Sequence, residues 1–236
     1  MSRPTSVVIV LQARMGSQRR PGKVLAPVGR WPLAEYCVRR LDAAGIGPVV
    51  VATTTAPEDE AIMALANELG AHAWAGPAND VLSRFAQVAG QFPEARYVLR
   101  ATADNPFVDT DGCARILKVL ADGADYAVEE ALPLGAAVEG VRREVLLRAQ
   151  REAVTAYDRE HVTPWIKRAD DVVRVVPLAP DDVRAPDLRL TVDTPDDLAF
   201  VRRLAARLEH EGRDPRLAPL VDVIAAARRL TRQEVA

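Results

Sequence analysis

The chain is short of cysteine, lysine and aromatic residues. Two of its 236 residues are cysteine; Cys37 and Cys113 lie far apart and match no metal or redox spacing, so no disulfide framework is expected and both read as buried structural thiols. Aromatic residues make up 5%, and Trp74 and Trp165 read as packing residues rather than stacking platforms. No long hydrophobic run occurs near the amino end. Val7 to Leu11 is too short for a signal-peptide core or a bilayer span, so a cytoplasmic location with no membrane partner is expected. Net charge is also small: 31 basic residues oppose 33 acidic ones, giving -2 at pH 7. With 49% hydrophobic and 27% charged residues the chain has average globular composition, which excludes disorder and fibrous repeats. There is no internal repeat, low-complexity tract or long linker.

What is present is an uneven charge distribution. From Met1 to Ala34 there are six basic residues and no acidic one, so the amino end is cationic in an otherwise acidic chain. Lys23, one of only three lysines, lies in that stretch. Periodicity then predicts strands at Val7–Leu11, Val49–Ala52, Ala71–Trp74 and Arg96–Arg100, alternating with helices at Trp31–Leu41, Ala56–Leu69, Asn79–Ala89 and Asp109–Leu120. That order implies βαβ units and a mostly parallel sheet. Further on, strands are expected at Tyr126–Glu129, Val172–Pro177 and Leu188–Val192. Helices are expected at Arg142–Ala153, from Pro195 to about Glu209, and from about Leu217 to Leu230. The whole reads as one α/β domain over 1–236 with an excursion at about 126–187.

Three segments carry chemistry. The loop from Gln12 to Lys23 follows the first strand, where open α/β sheets bind ligands. Gly16 and Gly22 suit close approach of backbone to phosphate, and Arg14 and Lys23 supply a guanidinium fork and a point charge. Walker A spacing fails, because Gly16 and Gly22 are separated by five residues and Val24 follows Lys23; no dinucleotide fingerprint occurs either. Asp104, past the end of the strand at Arg96–Arg100, is a candidate Mg²⁺ ligand, whereas Asp109 reads as a helix cap. In Thr191-Val192-Asp193-Thr194-Pro195-Asp196-Asp197-Leu198, Thr194 and Asp197 resemble a capping pair with Pro195 in the first turn, which leaves Asp193 unexplained by the helix end.

Leu11 to Ser17 with Pro21 to Leu25 resembles the nucleotide-binding signature of the cytidylyltransferases that make CMP-activated acidic sugars. The likeness is nearest to the branch typified by the spore-coat polysaccharide biosynthesis protein F, beside acylneuraminate and 3-deoxy-manno-octulosonate cytidylyltransferases. It extends through Val51-Ala52-Thr53, Gly76 with Asp80 to Arg84, Asp104 with Pro106, Glu160 to Pro164 and Thr191 to Leu198. The resemblance implies a three-layer α/β/α nucleotidyltransferase, Rossmann-like and GT-A-like, commonly a homodimer. It implies that Leu11, Ala13, Arg14, Gly16, Ser17, Lys23, Thr53, Asp80, Arg84 and Thr102 surround CTP. Asp104 and Asp193 would bind Mg²⁺, and Asn105, Glu139 and His161 would meet a small anionic acceptor: a sugar acid, phosphonate or phosphate. Arg14, Lys23, Asp104 and Asp193 would carry the transfer of CMP, with pyrophosphate released and no nucleic acid involved.

Some positions depart from the family pattern. Gln18 and Arg20 stand where relatives more often have Ser and Leu, and Asn105 and Phe107 where Cys and Leu are common. Gly135 and Glu139 are kept in the segment from Leu132 to Glu139, but the Asp usual before the glycine is missing. His161 reads equally as a substrate-facing or a structural residue. Two other readings stay open, a nucleotide-sugar glycosyltransferase and a non-catalytic nucleotide-binding subunit.

Overall fold

The structure is a computed structural model that describes residues 6–17 and 20–235. Gln18 and Arg19 of the basic loop, and Arg3, lie outside the described residues. The described residues form nine strands: β1 Val7–Gln12, β2 Pro27–Val28, β3 Trp31–Pro32, β4 Val49–Thr54, β5 His72–Gly76, β6 Tyr97–Thr102, β7 Tyr126–Val128, β8 Glu139–Arg142 and β9 Arg174–Val175. The α-helices are α1 Leu33–Ala43, α2 Glu60–Glu68, α3 Val81–Gln91, α4 Thr110–Ala121, α5 Arg143–Glu152, α6 Ala156–His161, α7 Pro164–Arg168, α8 Pro195–His210 and α9 Leu220–Val235. Seven strands make one sheet in the order β5-β4-β1-β6-β8-β7-β9, while β2 and β3 form a separate small hairpin.

The apolar run of β1 is explained by burial on both faces. Val7, Ile9 and Leu11 pack with Cys37 and Leu41 of α1, Ile62 of α2 and Ile116 of α4. Val8 and Val10 pack on the other side with Leu82, Phe85 and Val88 of α3 and Leu146 of α5. Strand residues alternate between faces, so the two sets build a three-layer α/β/α arrangement. A further apolar cluster joins Leu33 and Tyr36 of α1 to Leu198, Val201 and Leu204 of α8 and Val223 of α9.

Strands β1, β4, β5 and β6 run parallel. The chain moves outward from β1 to β4 and β5, then returns to place β6 on the other side of β1, so the order reverses between β1 and β6. In open α/β sheets the crevice at such a reversal, beyond the carboxyl ends of the strands, receives ligands. The ends are tied there by the Ala103 N–H donating to the Gln12 carbonyl at 2.9 Å.

Several expectations are corrected. Leu188–Val192 is not a sheet strand: Leu190 N–H donates to the Leu134 carbonyl and Val192 N–H to the Asp104 carbonyl, both at 2.8 Å. Its apolar side chains are drawn in by the cluster under α8 instead. Strand β8 was not expected at all. It inserts antiparallel between β6 and β7, and its Gly140 is needed because a Cβ there would collide with Ile116 and Leu120 of α4. Asp109 precedes α4 but makes no side-chain cap; its buried carboxylate accepts from Arg115 Nη2 at 2.5 Å. The capping box of Thr194 and Asp197, with Pro195 in the first turn of α8, is present as expected. Among the described residues no helix is long and apolar enough to cross a membrane.

Candidate active site

The loop after β1 is anchored by a buried carboxylate. Asp59 accepts from the Met15 N–H at 2.7 Å and from the N–H and hydroxyl of Thr54 at 3.0 and 2.5 Å, which fastens the loop to the end of β4. Gly22 has φ +73, a left-handed conformation that glycine adopts without a Cβ clash, and its N–H donates back to the Met15 carbonyl at 2.8 Å. The loop therefore folds on itself and delivers Lys23 inward.

A cleft of about 530 Å³ opens at the reversal point, lined by Gln12, Ala13, Arg14 and Ser17 of the loop, Lys23, Thr102 and Asp104 at the end of β6, and Glu160 and His161 of α6. The Lys23 ammonium donates to Asp104 Oδ2 at 3.1 Å, Asp193 Oδ1 at 3.1 Å and the Val192 carbonyl at 2.7 Å. Two carboxylates distant in sequence thus converge on one cationic atom. Thr102 Oγ1 donates to Asp104 Oδ1 at 2.5 Å, and Arg189 Nη2 to Asp193 Oδ2 at 2.8 Å, so both carboxylates are oriented. Arg14 reaches Glu160 across the cleft at 3.5 Å.

A second cavity of about 560 Å³ adjoins the first. Arg100, Thr102 and His161 line both. Its remaining wall includes Asn105, Gly135, Glu139, Tyr157, Thr163 and Lys167. Glu139 is the hub: it accepts from Arg100 Nη1 at 2.5 Å, Tyr126 Oη at 2.6 Å and Thr163 Oγ1 at 3.0 Å, and pairs with Lys167 Nζ at 2.6 Å. Burial alone would raise its pKa, but Arg100 and Lys167 outweigh burial and hold it at about 2. The Tyr126 hydroxyl is pushed up, first by burial and then by that carboxylate. One negative charge thus organises two positive ones, leaving the wall net cationic.

His161 is set at the junction by a strained turn. Val162, buried and β-branched, has φ 71 and ψ -55, and the Thr163 N–H donates to the His161 carbonyl at 2.8 Å. This γ-turn costs conformational energy and reverses the chain between α6 and α7. It brings His161, Thr163 and Lys167 to the same cavity. The His161 ring lies 4.5 Å from that of Tyr157, centroid to centroid.

A family model described as cytidylyltransferase matches residues 7–217. The chain belongs to the cytidylyltransferase family. It is 34% identical over 206 residues to the spore coat polysaccharide biosynthesis protein SpsF of Bacillus subtilis (strain 168), covering 84% of this chain and 85% of that one. A cytidylyltransferase structure from Leptospira borgpetersenii serovar Hardjo-bovis superposes with TM-score 0.86 at 22% identity, covering 96% of this chain and 95% of the other. A CMP:2-keto-3-deoxy-manno-octonic acid synthetase complexed with CTP superposes at TM-score 0.61 and 21% identity, over 85% of this chain and 98% of that one. The two superpositions share the nucleotidyltransferase fold.

In this cytidylyltransferase, Ala13, Arg14, Ser17, Lys23, Thr102, Asp104 and His161 line the first cleft, and Asp193 joins them through Lys23. Asn105, Glu139 and His161 line the adjoining cavity. Leu11 is buried in β1, and Gly16 is exposed with open space around it. Thr53 is fully buried, with no hydrogen-bond partner for its hydroxyl among the described residues. Arg84 is also fully buried. Its Nη1 donates to the Pro77 and Ala78 carbonyls at 2.6 and 3.2 Å, while Nε and Nη2 have no hydrogen-bond partner among the described residues. Burial, with Arg14 adding to it, lowers its pKa to about 10. Asp80 caps α3 through the Ser83 N–H at 2.8 Å and pairs with Arg159 at 3.3 Å. Sequence reasoning missed Gln12, Arg100, Glu160 and Lys167 as lining residues. Gln12 and Glu160 lie inside segments that carried the resemblance without being singled out, and Arg100 is a charge at the end of an apolar strand run.

Proposed function

We propose that this cytidylyltransferase transfers CMP from CTP to a small anionic acceptor, with Mg²⁺ as its metal. The carrying observation is the pair of adjoining cavities with a shared wall of Arg100, Thr102 and His161, one faced by the loop cations and the other by Arg100 and Lys167. CTP fits the first cavity in this reading and the acceptor fits the second. Family membership and a CTP-complexed protein of the same fold support the nucleotide.

The donor set suits Mg²⁺. Asp104 and Asp193 each place an oxygen 3.1 Å from one cationic atom, and Mg²⁺ is commonly held by one or two carboxylates plus substrate phosphates. No group of three or more His, Cys, Asp or Glu side chains that could hold a metal occurs among the described residues, so phosphate oxygens would complete the shell. Bound there, the ion would neutralise charge on the triphosphate. Arg14, Ser17 and Lys23 hold phosphate oxygens; Arg100 and Lys167 hold the acceptor's anionic group. The acceptor oxygen forms a bond to the α-phosphorus as the bond to pyrophosphate breaks, which is positioning and charge stabilisation with no covalent enzyme intermediate.

Thr53 and Arg84 keep a proposed place behind the base and ribose, supported by family membership alone, since both are fully buried and neither is among the lining residues of the two cavities. Asp80 supports them by capping the helix that carries Arg84. A homodimer belongs to the same proposal, supported by the exposed Val173, Val175, Val176 and Leu178 along the edge strand β9, as does a cytoplasmic location with its supply of CTP. The test is pyrophosphate release from four nucleoside triphosphates against acidic sugars and phosphonates. CTP should be used, and Asp104→Asn or Asp193→Asn should slow turnover by roughly 100-fold or more with the fold retained by circular dichroism. Release from no triphosphate would refute the reading in favour of a non-catalytic subunit, and full turnover in both variants would refute the metal assignment.

A further inference from the structure

We propose that Lys23 is the resident counter-ion of the Asp104–Asp193 pair in the nucleotide-free enzyme, so that a divalent cation gains the pair only when a triphosphate draws Lys23 away. The proposal rests on the reading of those aspartates as metal ligands, and adds to it how access to the site is controlled.

A lysine ammonium has three donors. All three of Lys23 are used, on Asp104 Oδ2, Asp193 Oδ1 and the Val192 carbonyl. The side chain is 8% exposed, so no donor remains for a phosphate until one of these bonds is given up. Lys23 grips one oxygen of each carboxylate, Asp104 Oδ2 and Asp193 Oδ1, while Asp104 Oδ1 accepts from Thr102 and Asp193 Oδ2 from Arg189. A divalent cation bridging the same two oxygens would need the space and the charge that the ammonium now supplies, and two cations do not share that point.

A triphosphate resolves the conflict. It offers Lys23 new anionic partners along the same cleft, and the flexible four-carbon stem can follow them while the turn at Gly22 and Lys23 stays in place. Another loop cation shows a similar arrangement, with Arg14 engaged by Glu160 at 3.5 Å. Both cations meant for phosphate are thus neutralised by carboxylates of the chain itself. Linkage then requires that metal and nucleotide strengthen each other's binding by the same factor.

Mn²⁺ serves as the probe, titrated without nucleotide and followed by the electron paramagnetic resonance signal of the free ion. Wild type should bind it weakly, Lys23→Met at least tenfold more tightly, and Lys23→Arg no better than wild type. Adding Asp193→Asn to Lys23→Met should abolish the gain. Equal affinity in wild type and Lys23→Met would overturn the proposal, and Lys23→Gln repeats the comparison if the Met variant does not fold. A measurement on wild type needs no variant: with only three lysines in the chain, ¹⁵N-lysine labelling resolves the Lys23 ammonium. Its protons should exchange slowly with water when ligand-free and change environment on adding CTP with Mg²⁺; fast exchange in the ligand-free enzyme would also overturn the proposal. Calorimetry of CTP with Mg²⁺ on wild type is the separate arm. Failure to bind CTP would refute the functional reading, while the Mn²⁺ comparison judges the role of Lys23 without any nucleotide.

Discussion

Glu139→Gln removes the single charge that organises the second cavity. The carboxylate is 12% exposed and titrates at about 2 against an ordinary 4.5. Burial works to raise it, and Arg100 and Lys167, with hydrogen bonds donated by Lys167 and Tyr126, prevail. The gap between those values corresponds to about 3 kcal/mol of folding free energy at neutral pH. The folded state binds the proton less well than the unfolded state, so this stability is fully present above pH 4.5 and is lost as the pH falls through about 2. At pH 3.5 about 2 kcal/mol of it remains. Glutamine also leaves Arg100 and Lys167 facing each other without a counter-charge, which works in the same direction. The variant should therefore be about 3 kcal/mol less stable at pH 7, a Tm lower by roughly 6–12 °C, with the difference shrinking at pH 3.5. Urea melts of both proteins at the two pH values measure it. A difference below about 1 kcal/mol at pH 7, or one that does not shrink in acid, would refute the account of Glu139 as the hub.

Lys167→Met should raise the KM for the acceptor about tenfold, the loss of one charge-assisted contact, and leave the KM for CTP nearly unchanged; steady-state kinetics with each substrate varied in turn separates the two. Gly140→Ala should destabilise by about 1–3 kcal/mol, because the new methyl meets Ile116 and Leu120 of α4. Thermal denaturation at neutral pH checks it, and an unchanged Tm would show that α4 can move away.

Much of the frame was legible from local sequence. The β-branched run of β1 is the signature of a strand covered on both sides, and Thr194-Pro195-Asp197 spells a helix start in four residues. The cation-rich loop after the first strand was legible for the same reason, since a loop's place at the end of a strand follows from order along the chain. Segments whose partners lie elsewhere were misread. Leu188–Val192 has the composition of a strand, yet its N–H groups are satisfied by Leu134 and Asp104. Asp109 sits where a cap should be, yet a nearby guanidinium outcompetes the helix end for its carboxylate.

The candidate site divides in the same way. The sequence by itself determined which groups are available: a lysine and an arginine in a glycine-containing loop, and aspartates after two apolar segments. Only the tertiary structure decided what those groups do to one another. It brought Lys23 against Asp104 and Asp193, 81 and 170 residues away in sequence. It also made Glu139, which lines the second cavity, the anchor of Arg100 and Lys167. The physical reason is range: caps and periodicity are settled within a few residues of backbone, whereas the charge a side chain meets depends on which strand the sheet places beside it. Strand β8, short and unannounced by any periodicity, is the element that carries Glu139 to its place.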